Sequence, residues 1–155
     1  MADKLSGEFV DGDDLHSQAN VDKMRRGIAL TDDDRWPWLE RVAKVLREHD
    51  GEIPLIVSCS ALKSSYRRRL GENYHLIYLK GTLSEIAARL QARQLQESGD
   101  HFMPISLLES QFDTLEEPDD AIVLDPGQPP HEMAEKIIRA LLYVNAGVKT
   151  HQWPE

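Results

Sequence analysis

Three carboxylates fall within four positions at Asp11-Gly12-Asp13-Asp14, and a histidine, His16, follows two places on. Acids crowded this closely repel one another, so a nearby cation favours the arrangement. In phosphoryl transfer one such carboxylate can orient Mg²⁺ while another orients or deprotonates the attacking hydroxyl. An extended segment sends alternate side chains to the same side, which would put Asp11 and Asp13 together with Gly12 leaving room between them. A plain turn is the competing reading, because Asp and Gly after a strand suit a loop that has no further role.

Positive groups that could answer an anion lie further along. Arg35 follows Asp32-Asp33-Asp34 at a helix start; it is either a surface arginine answering three acids or a fork for a carboxylate or hydroxyls. Lys63 and Arg67 are four apart, so on one helix they share a face, and one or both could look into a cleft. Arg68 and Arg69 read as a solvated basic face. The polar stretch from Arg89 to His101 includes Arg93, Gln94, Gln96, Ser98 and Gly99; it is either an exposed loop or a lid that closes over phosphates. His101 has no second histidine at helical ligand spacing, which argues against zinc.

The elements that must position these groups alternate in type. Short apolar runs at Glu8-Phe9-Val10, 55–59, 75–79 and 121–124 have the length of buried strands. Helical periods separate them. Trp36, Leu39, Ala43 and Leu46 share a face of a helix that Gly51 would end, and Pro37 within its first turn predicts a cap at Asp33 or Asp34 rather than Thr31. Ser17 caps a short helix closed by Gly27, and Thr82-x-x-Glu85 is a capping box opening another. Met133, Ile137, Leu141 and Val144 line a last helix after Pro129-Pro130. Alternating strands and helices imply an α/β fold with parallel strands, whose carboxyl ends gather function. The first and second runs end in Asp11–His16 and in Ser58–Lys63, which brings both polar sets toward one cleft.

The 155 residues make one domain, expected over 1–146 with a flexible tail over 147–155. Hydrophobic content of 41% and charged content of 29% are globular values. The single cysteine, Cys59, excludes an internal disulfide and reads as a buried thiol. A net charge of −9 argues against a nucleic-acid partner. Neither a membrane-length apolar run nor a signal-peptide pattern is present, so the expectation is a cytoplasmic protein without a membrane partner.

Several strings, in order, carry a resemblance. They are Phe9-Val10-Asp11-Gly12-Asp13-Asp14-Leu15-His16, Gly27-Ile28-Ala29-Leu30-Thr31-Asp32-Asp33-Asp34-Arg35-Trp36-Pro37-Trp38-Leu39, Cys59-Ser60-Ala61-Leu62-Lys63-Ser64-Ser65-Tyr66-Arg67, His101-Phe102-Met103-Pro104 and Ser110-Gln111-Phe112-Asp113-Thr114-Leu115. From about Ala2 to about Leu141 the chain resembles the gluconokinases, which are similar to shikimate kinases. The resemblance implies a three-layer P-loop kinase fold and transfer of the ATP γ-phosphoryl group to the 6-hydroxyl of D-gluconate, with Mg²⁺. It assigns Asp11 to the Mg²⁺ shell and Asp13 to the hydroxyl, as orienting group or base. Arg35 and Lys63 would address the gluconate carboxylate and hydroxyls, together with His16, His101 and Gln111. Arg93 and Arg89 would approach the nucleotide phosphates, and a homodimer is an open option for assembly.

Two departures from the family pattern stand out. Gln94-Leu95-Gln96-Glu97-Ser98-Gly99-Asp100 occupies a stretch where the family has a Lys-Gly pair, which lengthens the lid. None of the nine glycines precedes a lysine, so the sequence holds no G-x-x-x-x-G-K-[ST] phosphate loop, and the first, central strand of the family fold is missing with it. The expectation is therefore impaired phosphoryl transfer by this chain, with a non-catalytic binding or interaction module as the alternative. The strands at 55–59 and 75–79 should either pair directly or leave a loosened domain.

Overall fold

The computed structural model describes residues 6–96 and 105–145, so the tail expected over 147–155 lies outside the described residues. Strand β1 (Glu8–Asp11) runs into a 3-10 turn at Gly12–Leu15, followed by α1 (Gln18–Arg25) and α2 (Asp32–Glu48). Strand β2 (Leu55–Ser58), α3 (Ser64–Leu70), β3 (Ile77–Leu79), α4 (Leu83–Gln96), α5 (Ile105–Thr114), β4 (Ile122–Leu124) and α6 (Pro130–Asn145) complete it. All four apolar runs are strands, and both ladders are parallel, as the alternation predicts.

The strands form two separate pairs. β1 lies on β2 in the register Val10–Val57, and β3 lies on β4 in the register Tyr78–Val123. No ladder joins β2 to β3 among the described residues, so direct pairing of the second and third runs does not occur. Each pair instead packs its own core. Trp38, Leu39, Val42, Ala43, Tyr66 and Leu70 form the first, and Ile122, Leu124, Ile137 and Ala140 the second. Glu116 joins the two parts: its N–H donates to the Leu62 carbonyl, and its carboxylate accepts from Ser64 N–H.

Local chemistry sets the helix ends. Ser17 Oγ accepts from Asn20 N–H, and Gly27 leaves α1 at φ 71°, as expected. Thr82 and Glu85 make their reciprocal capping box. The start of α2 differs from expectation. Thr31 is the cap, its hydroxyl accepting from Asp34 N–H while the Asp34 carboxylate accepts from Thr31 N–H, and Pro37 lies inside the helix. A proline there removes one N–H and crowds the carbonyl four residues back. The capping box and the burial of Arg35, Trp38 and Leu39 along this turn hold the helix despite it. The buried face is correspondingly Arg35, Trp38, Leu39, Val42 and Ala43, while Trp36 lies at the rim, its ring perpendicular to that of Tyr66 with centroids 5.4 Å apart.

Candidate active site

The tips of β1 and β2 meet at a close approach that only glycine permits. A Cβ on Gly12 would lie 2.1 Å from the Ser58 carbonyl oxygen. Ser58 Oγ donates to Asp11 Oδ1, and Gly12 N–H donates back to Ser58 Oγ. Asp11 Oδ1 also accepts from Asp13 N–H, which closes the 3-10 turn. This turn corrects one expectation: the segment after Asp11 is not extended, so Asp11 and Asp13 do not share a side by alternation. Asp11 is turned to β2, while Asp13 is exposed and its charge reaches the Cys59 thiol at the other strand tip. Burial, with that carboxylate second, pushes Cys59 up to about 12, so it remains a thiol, in keeping with the structural reading.

Behind the turn, α2 presents a polar face set into an aromatic floor. Trp38 is fully buried, and its Nε1–H donates to the Gly12 carbonyl at 2.6 Å. His16 stacks on this indole with centroids 4.4 Å apart and planes 13° apart. Asn20, also buried, donates from Nδ2 to the Asp34 carbonyl and lies 3.3 Å from His16 Nδ1. Burial first, then the Arg35 and Arg41 guanidiniums, lower His16 from 6.5 to about 4, so the ring is neutral at pH 7. Arg41 Nε donates to the Leu15 carbonyl, while its Nη2 is buried without a hydrogen-bond partner among the described residues.

Arg35 is not the surface arginine that its acidic neighbours suggest. Only 7% of it is exposed, its Nε reaches toward the Leu30 carbonyl, and its guanidinium lies 5.8 Å from the Tyr66 ring centroid. Lys63 Nζ is on the same ring at 5.4 Å and holds both oxygens of Asp32, at 2.8 and 2.9 Å. Tyr66 Oη donates to Asp32 as well. Hydrogen bonds from Lys63 and then Tyr66 hold the Asp32 carboxyl below its ordinary range, and the same contact raises Lys63. Lys63 is thus a cation already gripping a carboxylate. It caps α3 rather than lying within it. Arg67, four residues on, acts elsewhere, since its Nη1 donates to the Ala61 and Leu62 carbonyls and ties down the loop after β2.

Arg35 links four of the expected residues: its charge acts on His16 and, with that of Asp13, on Cys59, and it shares the Tyr66 ring with Lys63. The rest of the expected set divides otherwise. Gln111 is half-buried on α5, and Arg89 is exposed on α4. Arg93 falls in the last turns of α4, where its side chain is outside the described residues, as is all of His101. Three contributors are not evident from the sequence. Asp32 is one of a run of like acids, Tyr66 lies three places after Lys63 in the first turn of α3, and Asn20 carries no local signal at all.

Comparisons with known proteins agree on the class. The model of the shikimate kinase family matches residues 1–142, which places the chain among kinases of that fold. Within that class it is 45% identical over 127 residues to a gluconokinase of Arabidopsis thaliana, covering 72% of this chain and 66% of that one. To the thermoresistant gluconokinase of Escherichia coli K12 it is 42% identical over 138 residues, covering 83% and 75%. A crystal structure of a gluconokinase from Sinorhizobium meliloti 1021 superposes with a TM-score of 0.76 at 38% identity, covering 92% of this chain and 81% of that one. The chain belongs to the gluconokinase family. It spans about two thirds of the Arabidopsis relative and 63% of the thermosensitive E. coli gluconokinase.

Proposed function

We propose that this chain carries the sugar-acid side of a gluconokinase, whose reaction transfers the ATP γ-phosphoryl group to the 6-hydroxyl of D-gluconate. The observation that carries the reading is the placement of buried Arg35 and of Lys63 over one ring, Tyr66, at 5.8 and 5.4 Å from its centroid, where Lys63 already holds the Asp32 carboxylate. A pair of cations on an aromatic ring, one fork and one point charge, suits a ligand with one carboxylate and several hydroxyls. His16 adds a neutral imidazole, which can hydrogen-bond a hydroxyl without attracting a second anion. Asp13, exposed on the turn, is the carboxylate to orient the acceptor hydroxyl and receive its proton.

The residues present fit Mg²⁺, and they include no phosphate loop for the triphosphate. No three His, Cys, Asp or Glu gather as a metal site among the described residues. Mg²⁺ does not require them, since one or two carboxylates and substrate phosphates usually hold it. Asp11 would supply one such carboxylate, through the oxygen not turned to Ser58, and the cation would neutralise charge on the transferred group. The sequence has no G-x-x-x-x-G-K-[ST] loop, so Arg89, exposed on α4, and Arg93 further along that helix are the cations of this chain that would approach the nucleotide phosphates. No helix among the described residues is long and apolar enough to cross a membrane, and we read the protein as cytoplasmic, with homodimer formation an added proposal.

Two assays test the reading. Titration calorimetry of the 155-residue chain with D-gluconate should give saturable heat that Arg35→Lys reduces at least tenfold in affinity. A coupled assay for ADP should show turnover well below the roughly 1–100 s⁻¹ usual for kinases. Absence of gluconate binding would remove the sugar-acid assignment. Turnover in the ordinary range would show that the phosphate cradle is formed by other residues.

A further inference from the structure

We propose that Asn20 is a positioning residue that locks His16 as the neutral Nε2–H tautomer, so that His16 meets the ligand only as a hydrogen-bond donor. The ligand atom it would read is a hydroxyl or carboxylate oxygen of the sugar acid, and this part rests on the function proposed above.

The lock follows from donor and acceptor counting. A backbone carbonyl can only accept, so the Asn20 atom 2.8 Å from the Asp34 carbonyl oxygen is the amide nitrogen. That nitrogen carries two hydrogens. The second is available to His16 Nδ1, 3.3 Å away, which must then offer its lone pair. A neutral imidazole accepting at Nδ1 carries its proton at Nε2.

The surroundings hold the ring in place and oppose its charging. Its plane is fixed by the stack on Trp38, whose own N–H is anchored on Gly12, and its backbone N–H donates to the Asp13 carbonyl. Arg35 and Arg41 act on it from α2 with positive charge. The nearest acid of that helix turn, Asp34, has its carboxylate engaged by Lys23 and Thr31. Asn20 is only 5% exposed, and a buried amide is costly unless its hydrogen bonds are made. Leucine would fill α1 at lower cost if packing were the whole purpose. The ring itself is only half-buried, so a ligand can reach its remaining edge.

The decisive readout is the imidazole nitrogen spectrum, which a merely structural asparagine would not move. Long-range ¹H–¹⁵N correlation on the full chain at pH 7 should show His16 with a pyridine-like Nδ1 and a protonated Nε2. A protonated Nδ1, or a doubly protonated ring, overturns the proposal. In Asn20→Asp the new carboxylate accepts where the amide donated, so the proton should move to Nδ1 or the ring should charge. Asn20→Leu, which avoids a carboxylate facing the Asp34 carbonyl, should give a mixture of tautomers. An unchanged pure Nε2–H spectrum in either folded variant overturns the role of Asn20. Calorimetry with D-gluconate then reads the ligand part: His16→Phe, which keeps the stack on Trp38 and removes the Nε2–H donor, should weaken binding by about tenfold, or about 1.4 kcal/mol, and unchanged affinity overturns the donor role. If the wild-type tautomer is as stated and gluconate gives no heat, the lock stands and the sugar-acid reading fails.

Discussion

The part of the chain that ends with α3 is organised around aromatic rings, and the part that begins with β3 around aliphatic side chains. Trp38 and Tyr66 are fully buried in the first, and each makes polar contacts at its edge or face: Trp38 holds Gly12 and His16, and Tyr66 holds Asp32 beneath Arg35 and Lys63. The second core is Ile122, Leu124, Ile137 and Ala140, and around it Leu79, Val123, Leu142 and Tyr143 remain exposed. Aromatic rings bury a large area and still offer a hydrogen-bonding handle, so they can be core and site floor together. Aliphatic side chains give packing alone. The contrast explains why the buried polar side chains among the described residues, Asn20 and Arg35, both lie in the first part.

The largest test of this contrast is a pair of truncations. Trp38→Ala should cost about 3–5 kcal/mol in urea unfolding and abolish gluconate binding, because core and site floor are lost together. Ile137→Val should cost only about 0.5–1.5 kcal/mol and leave binding intact. Equal losses of binding would remove the distinction between the two parts. Next in size is Gly12→Ala. The added methyl must displace the Ser58 carbonyl and with it the strand tips, at about 1–3 kcal/mol. An unchanged unfolding midpoint would show that the close approach is not maintained in solution.

A smaller effect should appear with pH. His16 in the folded chain titrates at about 4, below its ordinary 6.5, so the unfolded chain takes up this proton first. Stability is then full above that window and falls as pH drops from about 6.5 toward about 4. The contribution is on the order of 1 kcal/mol once the ring's partial exposure is counted. Denaturation at pH 7 and pH 5 should show the fall in the wild type and a flatter profile in His16→Phe, which keeps the stack on Trp38. Parallel profiles would assign the acid sensitivity to other groups. The smallest effect concerns Asp32. Its carboxylate occupies Lys63, so a ligand carboxylate must compete with it. Asp32→Asn should tighten gluconate binding by about 3-fold, since a full charge-assisted contact is relaxed on the protein side. Weaker binding would make Asp32 a contributor to the ligand site and not a competitor.

Much of this architecture is legible in the sequence, and the exceptions share a cause. The four strands, the Ser17 cap and the Thr82–Glu85 box depend on neighbours within a few residues, where periodicity and capping rules operate. The cap at Thr31 is obscured because Pro37 argues locally for a later start, while the burial of Trp38 and Leu39 decides otherwise. The 3-10 turn after Asp11 depends on Ser58, which is 47 residues away. Asp32 with Tyr66 and Asn20 with Asp34 are likewise matched only after folding. Candidate site residues can be named from their types and from a family pattern. Their partners require the tertiary structure.

Calorimetry with D-gluconate and, separately, shikimate tests the central claim most directly, since the chain matches the shikimate kinase family model while its aromatic-floored site is assigned to an acyclic polyhydroxy acid. Saturable heat with gluconate that Arg35→Lys reduces, and none with shikimate, is the expected result. Heat with shikimate alone, or gluconate binding indifferent to Arg35, would contradict it.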